Sequence, residues 1–352
     1  MKLDRGELLA RLDHLKPAIH AGGAIPELGH LWFDGKYAYA YDGGLGIRTP
    51  LKTEFAMGLP STQLLGLLKS SPHKEVELTE DDATLVIKLG KANMRLISMA
   101  YNRWVVEKGR GIWEFPNTLP KNSKCWKMTE EFLEGLRRVL LIKPNAPQRV
   151  EHHGVVVVPG KDSVDLFTTD TRTLARCFVP AENYPEDRFI IPRPFAEQVV
   201  RQCEPGASLY VLEDCLVADG TEVRLYSHML GTEELVDLSA VITRILGKKE
   251  DERKVELPSG LSATLERAMV LAGGEEAMVK FTTSKDKLKV EGHFQLGDVS
   301  EILDAKGAVA ETATFRADLV KRGLAEADGI ALLEQALVLY GGDTWLYVVA
   351  SR

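Results

Sequence analysis

The chain has 352 residues, with 44 Lys and Arg against 51 Asp and Glu for a formal net charge of −7, and is 45% hydrophobic and 27% charged. This is too apolar for a disordered chain, it excludes a protein whose whole surface is basic, and the length points to two or three domains. The first residues, Met1 to Leu15, mix acids among leucines, unlike a signal peptide, and no apolar run reaches the roughly 18 residues of a membrane span. Cys125, Cys177, Cys203 and Cys215 form no C-x-x-C pair and no disulfide framework, so the expectation is a cytoplasmic protein with reduced, mostly buried thiols.

In chain order, an amphipathic helix is predicted through Leu8, Leu9, Leu12 and Leu15, a strand over His30 to Phe33, a helix from Ser61 to Ser70 and a strand over Ala83 to Leu89. Apolar residues three and four apart put one helical stripe on a core, while short β-rich runs between turns such as Asp42-Gly43 read as strands. Residues 116–124, rich in Pro, Asn and Lys, read as a connector. A helix through Phe132, Leu133, Leu136 and Leu140 follows, then strands over Gly154 to Val158 and Val164 to Phe167, a helix from Arg193 to Cys203 and a strand over Ser208 to Leu212. The charge run at 247–254 reads as a second connector. Beyond it come a helix through Leu261, Leu265 and Met269, a strand over Lys287 to Val290, a helix from Arg316 to Ala325 and a strand over Thr344 to Val349. Cutting at the connectors leaves three similar pieces, 1–123, 124–250 and 251–352, each with two helices and several antiparallel strands. The fold class is α+β, with one helix-plus-strands unit recurring at roughly 60 residues.

Catalytic signatures are absent: there is no Walker loop, no H-E-x-x-H, no G-x-S-x-G and no Rossmann glycine pattern. A metal-dependent enzyme would have to gather His152, Asp170 and Cys177, yet His152 and His153, adjacent on a strand, would point to opposite faces. Cys203, on the apolar side of its helix, reads as structural. No enzyme and no cofactor are expected. The helices do carry a charge pattern, with Arg11, Arg137, Arg138, Lys143, Arg193, Arg201, Lys321 and Arg322 interleaved with Asp13, Glu134, Glu197 and Asp318. Two readings stand at this point. The faces are solvated and laced with ion pairs, or they share one surface whose basic residues meet nucleic-acid phosphate without reading bases.

Arg149-Val150-Glu151-His152-His153-Gly154, followed by Thr168-Thr169-Asp170-Thr171-Arg172-Thr173-Leu174-Ala175, resembles R-Y-Y-L-N-G and A-T-D-G-H-R-L-A of the bacterial sliding clamp family, the beta subunit of DNA polymerase III. Ile190-Ile191-Pro192, Tyr347-Val348-Val349 and Ile25-Pro26-Glu27-Leu28 resemble further segments of that family in the same order, so the likeness spans most of the chain. The resemblance implies three clamp domains and a homodimer closed head to tail into a ring whose helices line a hole for duplex DNA. Twelve helix axes about 8–10 Å apart leave a hole of roughly 20–28 Å. It also implies a pocket in which a polymerase and a clamp loader dock short peptides, at positions matching Arg149, His152, Thr169, Arg172, Leu174, Arg244, Ile245, Val348 and Val349. Departures lie at Arg172-Thr173-Leu174 for H-R-L, Ser239-Ala240-Val241-Ile242 for F-P-D-Y, Ala350-Ser351-Arg352 at the end, and Ala21-Gly22-Gly23-Ala24 in place of an arginine. The alternatives are a clamp-fold binding module without loading or ring closure and, last, the metal-dependent enzyme.

Overall fold

Each helix expected from apolar spacing forms, and its ends follow from local chemistry. Helix α1 (Arg5–Asp13) starts at Asp4, whose carboxylate accepts the Glu7 N–H at 2.8 Å, and it buries Leu8 and Leu12. Helix α2 (Ser61–Ser70) follows Pro60 and buries Leu64, Leu65 and Leu68. Helix α3 (Glu130–Val139) buries Phe132, Leu136 and Val139, and α4 (Arg193–Gln202) buries Phe195 and Val199. Cys203 lies just past the end of α4, and it too is buried.

Helix α5 (Leu238–Leu246) was not expected. Asp237 caps it by accepting the Ala240 N–H at 3.0 Å, and Gly247, at φ 67°, ends it. Helices α6 (Leu261–Leu271) and α7 (Ala317–Leu324) complete the set among the described residues. No described helix is long and apolar enough to cross a membrane.

In this computed structural model the described residues are 1–20, 22–101, 115–116, 118–119, 125–144, 149–181, 184–232, 235–247, 253–274 and 276–352. Most of both expected connectors, 116–124 and 247–254, falls outside them. Among the described residues the strands pair antiparallel and build four sheets. Contacts divide the chain into two compact units, residues 1–130 with 197–229, and residues 131–196 with 230–352. The stretch 124–250 therefore contributes to both units.

The first unit holds a four-stranded sheet ending on Ala92–Ile97, and a nine-stranded sheet in which Arg224–His228 pairs with Leu45–Pro50. Trp32, Phe33 and Tyr39 are fully buried there. The second unit holds an eight-stranded sheet in which Thr173–Pro180 pairs with Trp345–Ala350, and a four-stranded sheet ending on Gly297–Asp304. Helix α7 lies against Trp345–Ala350, where Gly323 sits so close to Tyr347 and Leu339 that only a glycine fits.

His152 and His153 are not on a strand. They close a 3-10 turn at Val150–His153, and the strand begins one residue later at Gly154. Gly154 pairs with Pro192, and a Cβ there would overlap the carbonyl oxygen of Ile191. Substituting Gly154→Ala is expected to lower stability by about 1–3 kcal/mol, an overpacking penalty. The check is the denaturant midpoint, which should fall at unchanged slope. An unchanged midpoint would contradict the close approach.

Candidate functional site

In the second unit, sheet alternation sorts the residues expected to form a pocket. Leu174 pairs directly with Val348 across the Thr173–Pro180 and Trp345–Ala350 strands, so both side chains leave the same face. That face carries an apolar cluster with Phe167, Val338 and Leu346, covered by Leu238 and Ile242 of α5, with Ile245 packed at its margin. Val349 faces the other way. It alternates with Val348 along the strand, on the side where the Tyr347 hydroxyl donates to the Leu319 carbonyl of α7 at 2.9 Å. The expected pocket residues Val348 and Val349 thus stand on opposite faces of the sheet.

The hairpin between Thr169 and Leu174 is built from its own polar groups. The Asp170 carboxylate accepts from the Thr173 N–H at 2.8 Å and the Thr173 hydroxyl at 2.7 Å, while the Thr169 hydroxyl donates to the Thr173 carbonyl at 2.8 Å. Thr171 takes a positive φ of 76°, and Arg172 stands exposed at the tip. The Arg172 carbonyl accepts from the Ala350 N–H at 2.8 Å, tying the hairpin to the C-terminal strand. His152 is buried, whereas Arg149 is exposed with its guanidinium 3.8 Å from the buried Glu151. Arg244 and Ile245 line a depression of about 670 Å³ with Leu246, Arg253 and the turn from Leu333 to Ala336. Leu174, Val348 and Ile245 are thus brought together, and Arg244 rims the adjoining hollow.

The signal for α5 was in the sequence. Leu238, Val241, Ile242 and Ile245 stand at helical spacing behind Asp237, a capping residue.

The basic helix residues are mostly committed to partners within the chain. In the first unit Arg11 pairs with Glu222, and Arg201 is exposed near the end of α4. Lys16 adjoins it electrostatically. The Lys16 ammonium is held up foremost by its hydrogen bond to Asp13, and Lys69 is pushed down by Lys16. In the second unit Arg193 does not stand free on a helix face. Its guanidinium donates to the carbonyls of Leu140 and Ile142, closing the chain that leaves α3. Lys321 pairs with Glu266 at 2.5 Å, Arg322 stands 3.5 Å from Asp170, and Lys143 is exposed. Arg137 and Arg138 share Glu134 and Glu326.

His152, Asp170 and Cys177 do not converge. Among the described residues no three His, Cys, Asp or Glu side chains group as metal ligands would. Burial pushes the Cys177 and Cys215 thiols up to about 11 and Cys203 to about 12, whereas Cys125 is exposed. A raised pKa leaves roughly a thousandth or less of each buried thiol as thiolate at pH 8. One thiol per native chain, Cys125, is expected to react promptly with a thiol reagent at that pH, and all four after denaturation. Fast labelling of two or more in the native protein would contradict this burial.

The chain matches no protein-family profile, and no curated protein matches it in sequence. Its structure is similar to solved ones over its full length. It superposes on the beta subunit of Streptococcus pyogenes DNA polymerase with a TM-score of 0.84 at 16% identity, covering 100% of this chain and 99% of that one. The DNA polymerase III beta subunit of Thermotoga maritima gives a TM-score of 0.83 at 18% identity, covering 100% and 98%. The sliding clamp of Pseudomonas aeruginosa bound to griselimycin gives 0.82 at 17%, covering 100% and 98%. The likeness first seen in residues 149–175 and 347–349 therefore extends to the whole fold, which is that of the bacterial sliding clamps, the beta subunits of DNA polymerase III.

Proposed function

We propose that this protein is a DNA sliding clamp, a three-domain chain that closes as a homodimeric ring around duplex DNA and tethers a polymerase through a peptide pocket. The observation that carries the reading is the full-length likeness to sliding clamp structures, which covers nearly all of both chains. A ring needs no active site, because topology retains it and weak phosphate contacts leave it free to slide. Tethering raises the effective concentration of the partner at the primer end.

Two sheet edges support ring closure. Ala92–Ile97 and Gly297–Asp304 each end a four-stranded sheet and have one strand neighbour among the described residues. Ile97 is 78% exposed, and Ile302 and Val270 beside the second edge are 63% and 75% exposed. Exposed edges carrying apolar side chains are templates for pairing with another chain. Joining the first edge of one copy to the second edge of another is a heterologous contact, and two such contacts close a dimer.

A particle of twice the 39.0 kDa chain mass is therefore expected, which stays on nicked circular DNA after loading and runs off once the circle is cut. Ile302→Asp should reduce it to single chains without unfolding it, since the side chain is exposed. Equal retention on linear and circular DNA would sink the clamp reading. A folded wild-type monomer would favour the module without ring closure.

The pocket reading rests on Leu174, Val348 and Ile245 sharing one apolar face beside the hollow rimmed by Arg244. Arg149, His152, Thr169 and Arg172 stand as its proposed polar surround. Griselimycin, bound by the Pseudomonas aeruginosa clamp, is a direct probe. Ile245→Glu is the useful variant because Ile245 is only partly buried, whereas Leu174 is core. We expect binding to weaken at least about tenfold, as a charge replaces an apolar anchor. Unchanged binding, read by calorimetry, would remove the α5 margin from the pocket.

A further inference from the structure

We infer that Glu134 and Glu326 are built-in counter-ions that keep Arg137 and Arg138 from gripping DNA, so that these arginines meet phosphate only by exchanging out of an internal ion-pair network. The inference rests on the reading above, that the helix faces meet DNA.

The network is closely made. Glu134 takes two hydrogen bonds from Arg137, at 2.6 and 2.7 Å, and one from Arg138 at 2.9 Å. Glu326 takes two from Arg137, at 3.0 and 3.2 Å, and stands 3.4 Å from Arg138. The Glu134 carboxyl is held below its ordinary range, foremost by its hydrogen bonding with Arg137, so it stays ionised at neutral pH. Two guanidinium groups and two carboxylates sum to zero formal charge.

Helix geometry tips that balance further. Arg137 and Arg138 lie in the last turn of α3, and Glu326 lies just past Leu324, the last residue of α7. The two helices end beside the same four side chains, and each C-terminus carries about half a negative charge. A carboxylate beyond a helix C-terminus is disfavoured by that field, so Glu326 gains nothing from its own helix. Its side chain is nonetheless only 18% exposed, turned onto the arginines. The corner as built is neutral to slightly negative, although sequence counting reads it as a pair of basic residues.

A phosphate approaching this corner must displace a carboxylate that already makes charge-assisted hydrogen bonds. Swapping one oxyanion for another changes the free energy little, and such a contact neither holds a ring in place nor adds much to salt dependence. Removing one acid leaves a net positive corner with a guanidinium fork free to bind.

The test compares wild type, Glu326→Gln, Glu134→Gln and Glu326→Asp for binding to a fluorescent linear duplex of mixed sequence, from 50 to 200 mM salt, by anisotropy. Each glutamine variant is expected to bind about tenfold more tightly at 50 mM, with a log–log salt slope steeper by about 0.9 for the phosphate contact released. Glu326→Asp, which keeps the charge, should stay within about twofold of wild type. Adding Arg137→Ala and Arg138→Ala to Glu326→Gln should cancel the gain. A merely structural role for Glu326 would weaken binding, so tightening with a steeper slope is specific to the proposal. Measurable wild-type binding with the same affinity and slope in both glutamine variants overturns the counter-ion role. Absence of binding in every variant at 50 mM overturns the DNA-facing reading of this corner instead.

Discussion

Five consecutive cross-strand pairs, from Thr173 with Val349 to Cys177 with Trp345, determine what the second unit can do. They join segments about 170 residues apart into one hydrogen-bonded ladder, and their register decides which side chains share a face. Leu174 and Val348 fall on the side covered by α5, while Tyr347 and Val349 fall on the side covered by α7. A slip of one residue would exchange the two sets. The ladder is protected from slipping by the hairpin at its end, where Asp170 organises the turn and the Arg172 carbonyl holds Ala350.

The helices follow a different logic. Their apolar stripes are spent on the sheets, and their polar faces carry cations matched by acids from the same helix or from other elements. Glu222 serves Arg11, Glu266 serves Lys321, Asp170 serves Arg322, and Glu134 with Glu326 serve Arg137 and Arg138. The two readings left open by the sequence, a face laced with ion pairs and a face that meets phosphate, are therefore compatible. Pairs of this kind add little stability where they are exposed. Their consequence is electrostatic: each paired cation is offset locally by the acid beside it.

Much of the fold was legible because helix and strand periods are local properties. Apolar residues three and four apart announced six helices, and each formed within a few residues of its expected ends. Helix α5 carries the same signal in Leu238, Val241, Ile242 and Ile245. The pair His152-His153 was misplaced by one element. The strand begins at Gly154, where there is no room for a Cβ beside the carbonyl of Ile191 on a strand that arrives later in the chain. Arg193 looked like a surface cation, yet its partners are backbone carbonyls of another segment, which no count of charges reveals.

By itself, then, the sequence determined the elements, the recurrence of helix with strands, and segments similar enough to a family to suggest the architecture. Those features depend on residues within a turn or two of each other. Tertiary structure alone decided which apolar residues share one face of a sheet and which acid stands beside each cation. Both depend on the register of strands distant in sequence and on acids delivered from other elements. A composition of 44 basic and 51 acidic residues states the sum of these charges, and only the folded chain shows how they cancel.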